Sequence, residues 1–194
     1  MNTDFTAKTE YFKNELAARL TPRRFKHCLC VADEAVRLAE LYGYADTQKA
    51  YFAGLLHDIT KDASAEYHLG IIEKYGYPAT ELELSQKKLW HAKTGALVLE
   101  REYGIEDAEL LSAISYHTTA KEKMSPLEEL LYLADFTSAD RDYEGIEEIR
   151  RAVSTDKTEA LKIALSFTVE ELASKRKPIH PDTIGAYNEI MIKE

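Results

Sequence analysis

The sequence is poor in cysteine, and its two cysteines, Cys28 and Cys30, are two positions apart. On a helix, side chains at this spacing point to different faces, which suits neither a disulfide nor a zinc site. We therefore expect two reduced core residues. No run of 18 apolar residues occurs, so no transmembrane helix is expected. The first five residues have neither a basic start nor an apolar signal core, which predicts a cytoplasmic protein.

Positive charge is also in short supply. Lysine and arginine together number 25 against 34 aspartates and glutamates, and the formal net charge is −9 over 194 residues. Such an acidic chain is not expected to bind nucleic acid or a membrane surface. A nucleotide site remains compatible with this charge, because it needs only a local cluster of cations.

The alternation of apolar and polar residues that is typical of a half-buried strand is missing. Helix-start signals are present instead: Thr21-Pro22 and Ser125-Pro126 each combine an N-cap residue with proline at the first helical position. Asp46 can cap a third helix, and Tyr42-Gly43 is expected to end the second. Apolar spacing predicts helices over 4–20, 22–42, 46–58, 64–75, 85–103, 106–117, 127–136, 145–152, 155–174 and 183–192. With no repeat and no low-complexity linker, the pattern indicates a single all-α domain over residues 1–194.

Several apolar helical segments are interrupted or ended by polar residues, namely His27, His57, Asp58, His91, His117 and Asp135. A single histidine of this kind usually bonds to a backbone carbonyl or is favoured by the dipole at a helix end. Asp58 and Asp135 are harder to explain, because the dipole repels negative charge at a helix C-terminus and an unpaired buried carboxylate is costly. A cation between them relieves both carboxylates.

Carboxylates and imidazoles together suit a divalent transition metal, with iron, manganese, cobalt or zinc all possible. No short motif such as His-Glu-x-x-His is present, so the ligands have to converge from separate helices. The remaining histidines are not expected to be ligands: His68 is predicted to be an exposed helical residue, and His180, between two prolines, to be structural. Trp90 is expected in the core.

The order His, His-Asp, His, His, Asp on an all-helical chain resembles the HD superfamily of metal-dependent phosphohydrolases, whose fold is a helical bundle. Five blocks resemble more narrowly the YqeK group of that superfamily, and they span nearly the whole chain in the order of the group. The blocks are 23–27, 53–61, 113–119, 132–135 with Arg141 downstream, and 179–188.

YqeK-like proteins are similar to symmetrical dinucleoside tetraphosphatases, which cut diadenosine tetraphosphate at its centre into two ADP with a bound iron. The resemblance implies the metal ligands His27, His57, Asp58 and Asp135, with one ion preferred over two. His91 and His117 either contact the phosphates or complete a second metal position that Asp58 bridges. The implied catalytic set is Asp58, His91 and His117.

The resemblance also implies a substrate site, made of Arg24, Asp58, Ile59, Thr60, Lys61, His91, His117, Asp135, Arg141, Thr183 and Tyr187. Arg24 lies one turn before His27 and can share its helix face. With Lys61 and Arg141 it is expected to clamp the phosphates, a role that suits the arginine fork well. The tail helix either packs as a plain helix end or folds over the nucleotide, with Thr183 and Tyr187 on the base or ribose.

Three stretches depart from the pattern of the group. Ser138-Ala139-Asp140 replaces Glu-Pro-Gly, Ala120 replaces a glycine, and a usual glycine is missing around Cys28-Leu29-Cys30. None of these changes removes an expected ligand, but they leave the preferred nucleotide open. Two other functions also stay open: an HD phosphohydrolase for nucleoside mono- or triphosphates, and a metal-containing nucleotide-binding regulatory module. Tyrosine-rich helix faces fit either a homodimer or a buried core.

Overall fold

The computed structural model describes residues 5–193, with side chains from residue 8 onward. Within this range the chain forms eleven helices and no strand, so the predicted all-α class is confirmed. The predicted helix start at Asp4 lies outside the described residues. The helices are α1 (Phe5–Arg19), α2 (Pro22–Tyr42), α3 (Thr47–Leu56), α4 (Ala65–Lys74), α5 (Glu81–Ser85), α6 (Lys87–Arg101), α7 (Ala108–Tyr116), α8 (Pro126–Thr137), α9 (Ile146–Val153), α10 (Lys157–Ser174) and α11 (Pro181–Met191).

The helix signals in the sequence act as predicted. The Thr21 side chain accepts a hydrogen bond from the backbone N–H of Arg24 at the start of α2, and the Asp46 carboxylate accepts one from the Lys49 N–H, 2.9 Å long, at the start of α3. Gly43 ends α2 with a φ of +70°, a left-handed conformation that glycine adopts without strain. These signals fix the ends of the two helices that carry His27 and His57.

The long helix predicted over 85–103 is divided at its start, which is a correction. Gln86 separates α5 from α6. Thr80 and Glu83 form a capping box: the Thr80 hydroxyl accepts from the Glu83 N–H at 3.2 Å, and the Glu83 carboxylate accepts from the Thr80 N–H at 2.8 Å. The Trp90 indole then donates to the Glu83 carbonyl at 2.7 Å. The capping box starts a short helix of its own, which apolar spacing alone does not show.

α2 and α3 approach each other most closely at Gly54. A Cβ built on this residue would lie 2.6 Å from the Cα of Ala32, which is well inside van der Waals contact, so no larger side chain fits without a shift of the helices. The contact places His27 of α2 next to His57 at the end of α3, with 5.3 Å between the ring centroids. One glycine therefore sets the separation of the first two imidazoles.

The core lies between α2, α3, α7, α8 and α10, and α8 is central to it. Tyr132 of α8 is fully buried, and its hydroxyl is 3.0 Å from the Thr168 hydroxyl on α10. Both cysteines are free thiols. Cys28 is buried as predicted, whereas the core position predicted for Cys30 is wrong: it is half exposed, because two positions along α2 point to different sides of the helix. None of the helices in the described part of the chain is long and apolar enough to cross a membrane.

Candidate metal centre

Five helices bring together all the polar side chains that the sequence singles out. The contributions are His27 from α2, His57 and Asp58 from the end of α3, His91 from α6, His117 from the end of α7, and Asp135 from the last turn of α8. All are buried except Asp135, whose side chain is 17% exposed. Residues up to 108 positions apart in the sequence thus form one cluster, which we call the metal cluster.

On one side of the metal cluster, two imidazoles face two carboxylates. The Nε2 atom of His27 lies 3.0 Å from Asp135 Oδ1 and 4.0 Å from Asp58 Oδ2. The Nε2 atom of His57 lies 3.4 Å from Asp58 Oδ2 and 3.9 Å from Asp135 Oδ1. These are the four residues for which the family resemblance implies a common ion.

On the other side, the second oxygen of Asp58 faces two more imidazoles. Asp58 Oδ1 lies 3.0 Å from His91 Nε2 and 3.6 Å from His117 Nε2. His57, Asp58 and His117 also offer a set of ligand atoms within 4.8 Å of one another, as His27, His57 and Asp135 do. Asp58 therefore lies between two groups of ligand atoms, the position of a bridging carboxylate.

The backbone fixes the tautomers of His57 and His117. His57 Nδ1 lies 2.7 Å from the Gly54 carbonyl, and His117 Nδ1 lies 2.7 Å from the Ile114 carbonyl. A carbonyl only accepts, so Nδ1 carries the proton in both rings. In each neutral ring the lone pair is then on Nε2, which faces the metal cluster. This is the arrangement that metal-binding histidines adopt.

The carboxylate of Asp140 holds the Nδ1 atom of His27, a contact that the sequence did not predict. His27 Nδ1 lies 2.9 Å from Asp140 Oδ2, and the other oxygen of Asp140 accepts a 2.9 Å hydrogen bond from the Ser138 hydroxyl. Ser138 and Asp140 belong to the stretch that replaces Glu-Pro-Gly of the related group. In the sequence, the carboxylate of Asp140 five residues after Asp135 is a feature that could have indicated this contact. The contact orients the His27 ring, as carboxylate partners of metal-binding histidines do.

The residues of the metal cluster fit a divalent cation. When the Nδ1–H of His27 donates to Asp140, a neutral ring presents a lone pair at Nε2, which lies 3.0 Å from Asp135 Oδ1, so two acceptors face each other. Among the described side chains, His27 Nε2, His57 Nε2 and Asp58 Oδ1 are buried without a hydrogen-bond partner. Buried polar atoms nearly always have one. A cation is the partner that nitrogen and oxygen acceptors share, and this donor set suits a transition metal.

The charge states in the metal cluster follow from burial and from the neighbours. Burial raises the pKa of Asp58, but the histidines that face its carboxylate, His57 above all, outweigh burial and hold that pKa well below its usual range. Burial likewise raises the pKa of Asp135, and the charge of Arg141 lowers it well below its usual range. Burial lowers the pKa of His91 to about 3. At neutral pH both carboxylates are therefore ionised and His91 is neutral.

Three cationic side chains border the metal cluster. Arg24 Nη1 donates to Asp58 Oδ2 at 2.8 Å, Arg141 donates to both the carboxylate and the backbone carbonyl of Asp135, and Lys61 Nζ lies 3.7 Å from Asp58 Oδ1. Their side chains are 29%, 35% and 29% exposed, respectively. Each cation thus contacts a carboxylate of the metal cluster and also reaches the solvent, from which an anionic ligand would arrive.

The other residues expected at the substrate are placed less directly. The side chains of Ile59 and Thr60 are buried, and the Thr60 hydroxyl donates to the His91 carbonyl at 2.9 Å. Any substrate contact of these two residues therefore falls to their backbone. Thr183 is buried too and donates to the Thr119 carbonyl at 2.8 Å, while Tyr187 packs half-buried against the core. Thr183 holds the tail helix against the loop that follows His117.

Of the predictions for the two remaining histidines, one is wrong and one is confirmed. The prediction that His68 is exposed is wrong: it is buried in α4, which packs on α6, and its Nδ1 lies 2.8 Å from the Thr94 hydroxyl. His180 is structural as predicted, since its Nδ1 accepts a 3.2 Å hydrogen bond from the Asp182 N–H at the start of α11. Trp90 is buried as predicted. None of these three residues faces the carboxylates of the metal cluster.

The chain is similar to known proteins. The HD domain family model matches residues 24–140, a span that contains every residue of the metal cluster, from His27 to Asp135. The chain is 37% identical over 170 residues to a symmetrical bis(5'-nucleosyl)-tetraphosphatase of Bacillus subtilis (strain 168), covering 88% of this chain and 90% of the relative. It is also 37% identical over 176 residues to the protein of the same name from Halalkalibacterium halodurans, covering 90% and 92%.

A solved structure agrees with these relatives. The crystal structure of a predicted HD superfamily hydrolase involved in NAD metabolism, from Clostridium acetobutylicum, is 33% identical and superposes with a TM-score of 0.91 over 96% of this chain and 98% of that one. The family match covers more than half of the chain and includes the whole metal cluster. This chain therefore belongs to the HD domain family, in the group of symmetrical bis(5'-nucleosyl)-tetraphosphatases.

Proposed function

We propose that the protein hydrolyses diadenosine tetraphosphate, and related dinucleoside polyphosphates, at the centre of the phosphate chain to give two ADP. Hydrolases with an HD domain depend on a divalent metal, and we propose iron as the native ion; manganese, cobalt and zinc also suit these ligands. The observation that carries the proposal is the facing pair of acceptors, His27 Nε2 and Asp135 Oδ1, inside a cluster bordered by cations. The names of the relatives at 37% identity support the choice of substrate.

The reaction adds one water across the central phosphoric anhydride. A new P–O bond forms at one central phosphorus, the bond from that phosphorus to the bridging oxygen breaks, and the bridging oxygen leaves with the second ADP. The protons of the water are released to the protein and then to the solvent. When bound, a divalent ion would polarise a phosphoryl oxygen and lower the pKa of a water molecule.

The histidines on the far side of Asp58 are suited to the proton and the phosphates. His117 has a lone pair on Nε2, because its Nδ1 proton is held by the Ile114 carbonyl, so Nε2 can accept a proton from the attacking water. His91 is neutral at neutral pH, so its ring N–H can donate to a phosphate oxygen without carrying a charge. The Thr60 hydroxyl holds the backbone of His91 in place.

The three cations give the site a local positive charge, although the chain as a whole has a net charge of −9. A phosphate chain that reaches the metal cluster meets Arg24, Lys61 and Arg141, each of which has a solvent-facing part. The charges that develop on the leaving diphosphate are neutralised by such groups, and guanidinium groups bind phosphate oxygens in pairs. We propose that these three side chains clamp the tetraphosphate across the metal cluster.

The product assay tests the proposal. The protein is stripped of metal, reloaded anaerobically with Fe²⁺, and incubated with diadenosine tetraphosphate, and the products are separated by ion-exchange chromatography. ADP as sole product is expected. Formation of AMP and ATP, or no cleavage, contradicts the proposal. Nucleoside mono- and triphosphates are assayed in parallel, and faster turnover of any of these favours a different HD phosphohydrolase.

Replacement of Arg141 separates substrate binding from metal binding. In Arg141→Ala we expect KM for the dinucleotide to rise about tenfold or more, the effect of losing a charged hydrogen bond, with the metal content unchanged. Arg37→Ala is the control, because Arg37 is exposed on the outer face of α2 and pairs there with Glu34, three residues earlier. Loss of metal from Arg141→Ala would show that the guanidinium supports Asp135 rather than the phosphates.

A further inference from the structure

Two clefts of different chemistry open onto the metal cluster. The first, of about 360 Å³, has His117, Asp135 and Arg141 at its inner end and three aromatic rings further out; we call it the aromatic cleft. The second, of about 250 Å³, has Lys61 and His91 at its inner end and two exposed lysines further out; we call it the cationic cleft. The aromatic rings are Phe136, Tyr143 and Phe167, and the lysines are Lys87 and Lys88.

The rings of the aromatic cleft form an ordered wall. Tyr143 and Phe167 lie 5.1 Å apart at 40°, and Phe136 and Phe167 lie 6.2 Å apart at 90°. The Tyr143 hydroxyl donates to the Phe136 carbonyl at 3.0 Å, which fixes its ring. All three rings are half exposed, and Phe167 lies outside the main apolar core. Flat bases stack on such rings, so the wall suits a nucleobase.

A polar group at the inner end of the aromatic cleft also lacks a partner. The Thr118 hydroxyl is buried, lines the cleft and is without a hydrogen bond among the described residues. It is adjacent in sequence to His117, at the point where the cleft meets the metal cluster. A ribose hydroxyl or a phosphate oxygen would satisfy it. The aromatic cleft thus offers rings for a base, a hydroxyl for a ribose and Arg141 for a phosphate.

The cationic cleft cannot hold a base in the same way. Its one large aromatic side chain, Trp90, is 6% exposed, so its faces are covered. Lys87 and Lys88 are exposed on the first turn of α6, and Lys61 is half-buried at the inner end. Ammonium groups attract phosphate oxygens as point charges. This cleft therefore suits a phosphorylated chain but offers no surface on which to stack a base.

We propose that the protein binds its symmetrical substrate asymmetrically, with one nucleoside stacked in the aromatic cleft and the other half held by its phosphates along the cationic cleft. The clefts end at His117 and His91, whose Nε2 atoms are 3.1 Å apart. A tetraphosphate that crosses the metal cluster at its centre thus enters one cleft on each side. The inference rests on the proposed function and adds that the base is recognised at one end only.

Mixed dinucleotides test this asymmetry in the metal-loaded protein. The values of kcat/KM are measured for diadenosine tetraphosphate, for adenosine-tetraphosphate-uridine and for diuridine tetraphosphate. We expect the first two to agree to within about twofold, because the mixed compound can bind with its adenosine in the aromatic cleft, and the third to be much slower, since uracil stacks less well. Two equal losses, one for each adenine replaced, would overturn the proposal.

Binding measurements keep the test independent of hydrolysis. The affinities of ADP and of inorganic tripolyphosphate are measured by calorimetry on metal-loaded wild type, Phe167→Ala, Phe167→Trp and the control Tyr75→Ala, whose ring lines neither cleft. We expect Phe167→Ala to weaken ADP binding by about fivefold to a hundredfold, the effect of one lost stacking ring. Binding of tripolyphosphate should not change, and Phe167→Trp should bind ADP as the wild type does.

The opposite cleft gives the complementary result. Replacement of both Lys87 and Lys88 by alanine should weaken tripolyphosphate and the dinucleotides alike, whatever the base, and more strongly at low salt. An ADP affinity unchanged in Phe167→Ala would overturn the proposal, as would equal losses of ADP and tripolyphosphate. If diadenosine tetraphosphate is not cleaved while Phe167→Ala still loses ADP selectively, the proposed function fails and the nucleoside cleft stands.

Discussion

His57 and His68 are both buried imidazoles, yet only His57 belongs to the metal cluster. Each has its Nδ1 on an oxygen: His57 on the Gly54 carbonyl at 2.7 Å, His68 on the Thr94 hydroxyl at 2.8 Å. Burial lowers the pKa of His68. Burial also acts to lower the pKa of His57, but the charge of Asp58 outweighs it and raises that pKa. The facing carboxylate of Asp58, and not burial, thus distinguishes the surroundings of His57 from those of His68.

Removal of that carboxylate is the most severe test of the comparison. In Asp58→Ala, His57 loses its nearer carboxylate and keeps only that of Asp135 at 3.9 Å, and both sides of the metal cluster lose the carboxylate that they share. We expect loss of metal and of activity by more than about 100-fold, the upper end for loss of an outer-shell partner, with unchanged helical circular dichroism. Metal content by elemental analysis checks this. Full activity of Asp58→Ala would show that the ligands have been misassigned.

The partner of His27 provides a finer test. Asp140→Asn keeps an acceptor for the Nδ1 proton but removes its charge, and we expect the metal affinity to fall about 10- to 100-fold with the fold intact. A competition titration with a chelator measures the affinity. Ser138→Ala is the matched control, since it removes only the hydroxyl that supports Asp140, and its effect should be smaller. Equal affinities of Asp140→Asn and the wild type would show that His27 is oriented by other contacts.

The next largest effect is expected from a change at the close contact between α2 and α3. In Gly54→Ala the new methyl group meets the backbone of Ala32, and we expect a loss of about 1–3 kcal/mol in the free energy of unfolding. Urea denaturation of the metal-free protein measures it. Gly70→Ala on α4 is the control, because a Cβ there meets nothing within 4 Å, and it should be neutral or stabilising. Equal stabilities of the two variants would refute the close approach.

The smallest effect is expected from replacement of His68, the buried histidine outside the metal cluster. His68→Asn alters the hydrogen bond to Thr94, whose hydroxyl keeps its bond to the Trp90 carbonyl at 2.9 Å. We expect a loss of about 1 kcal/mol in stability, the contribution of one buried hydrogen bond, and full metal content. Depletion of metal from this variant would mean that His68 acts on the metal cluster after all.

Short local signals in the sequence predict many of the helix ends. Thr21-Pro22, Asp46 and Gly43 predict helix ends correctly, because a cap needs only its neighbours in sequence. The same local logic places His57 and His117 at helix ends, each anchored to a carbonyl three residues earlier. The sequence alone also indicates a shared cation, from two carboxylates set against helix dipoles. These are features that a single helix can display without its partners.

Features that depend on two distant helices could not be predicted in this way. The burial of His68 depends on α6, which supplies Thr94 to bond it. The role of Asp140 depends on the packing of α2 against the loop after α8, which brings it to within 2.9 Å of His27. The aromatic cleft combines rings from α8, α10 and the loop between α8 and α9, and no spacing within one segment indicates it.

The contact at Gly54 has a consequence for the choice of ion. Because α2 and α3 touch there through main-chain atoms, and Asp140 and the Gly54 carbonyl hold the Nδ1 atoms of His27 and His57, both imidazoles are positioned from outside the metal cluster. We therefore expect ions of different radius to be accommodated by the carboxylates of Asp58 and Asp135. We expect the choice among iron, manganese, cobalt and zinc to depend more on these carboxylates than on the two imidazoles.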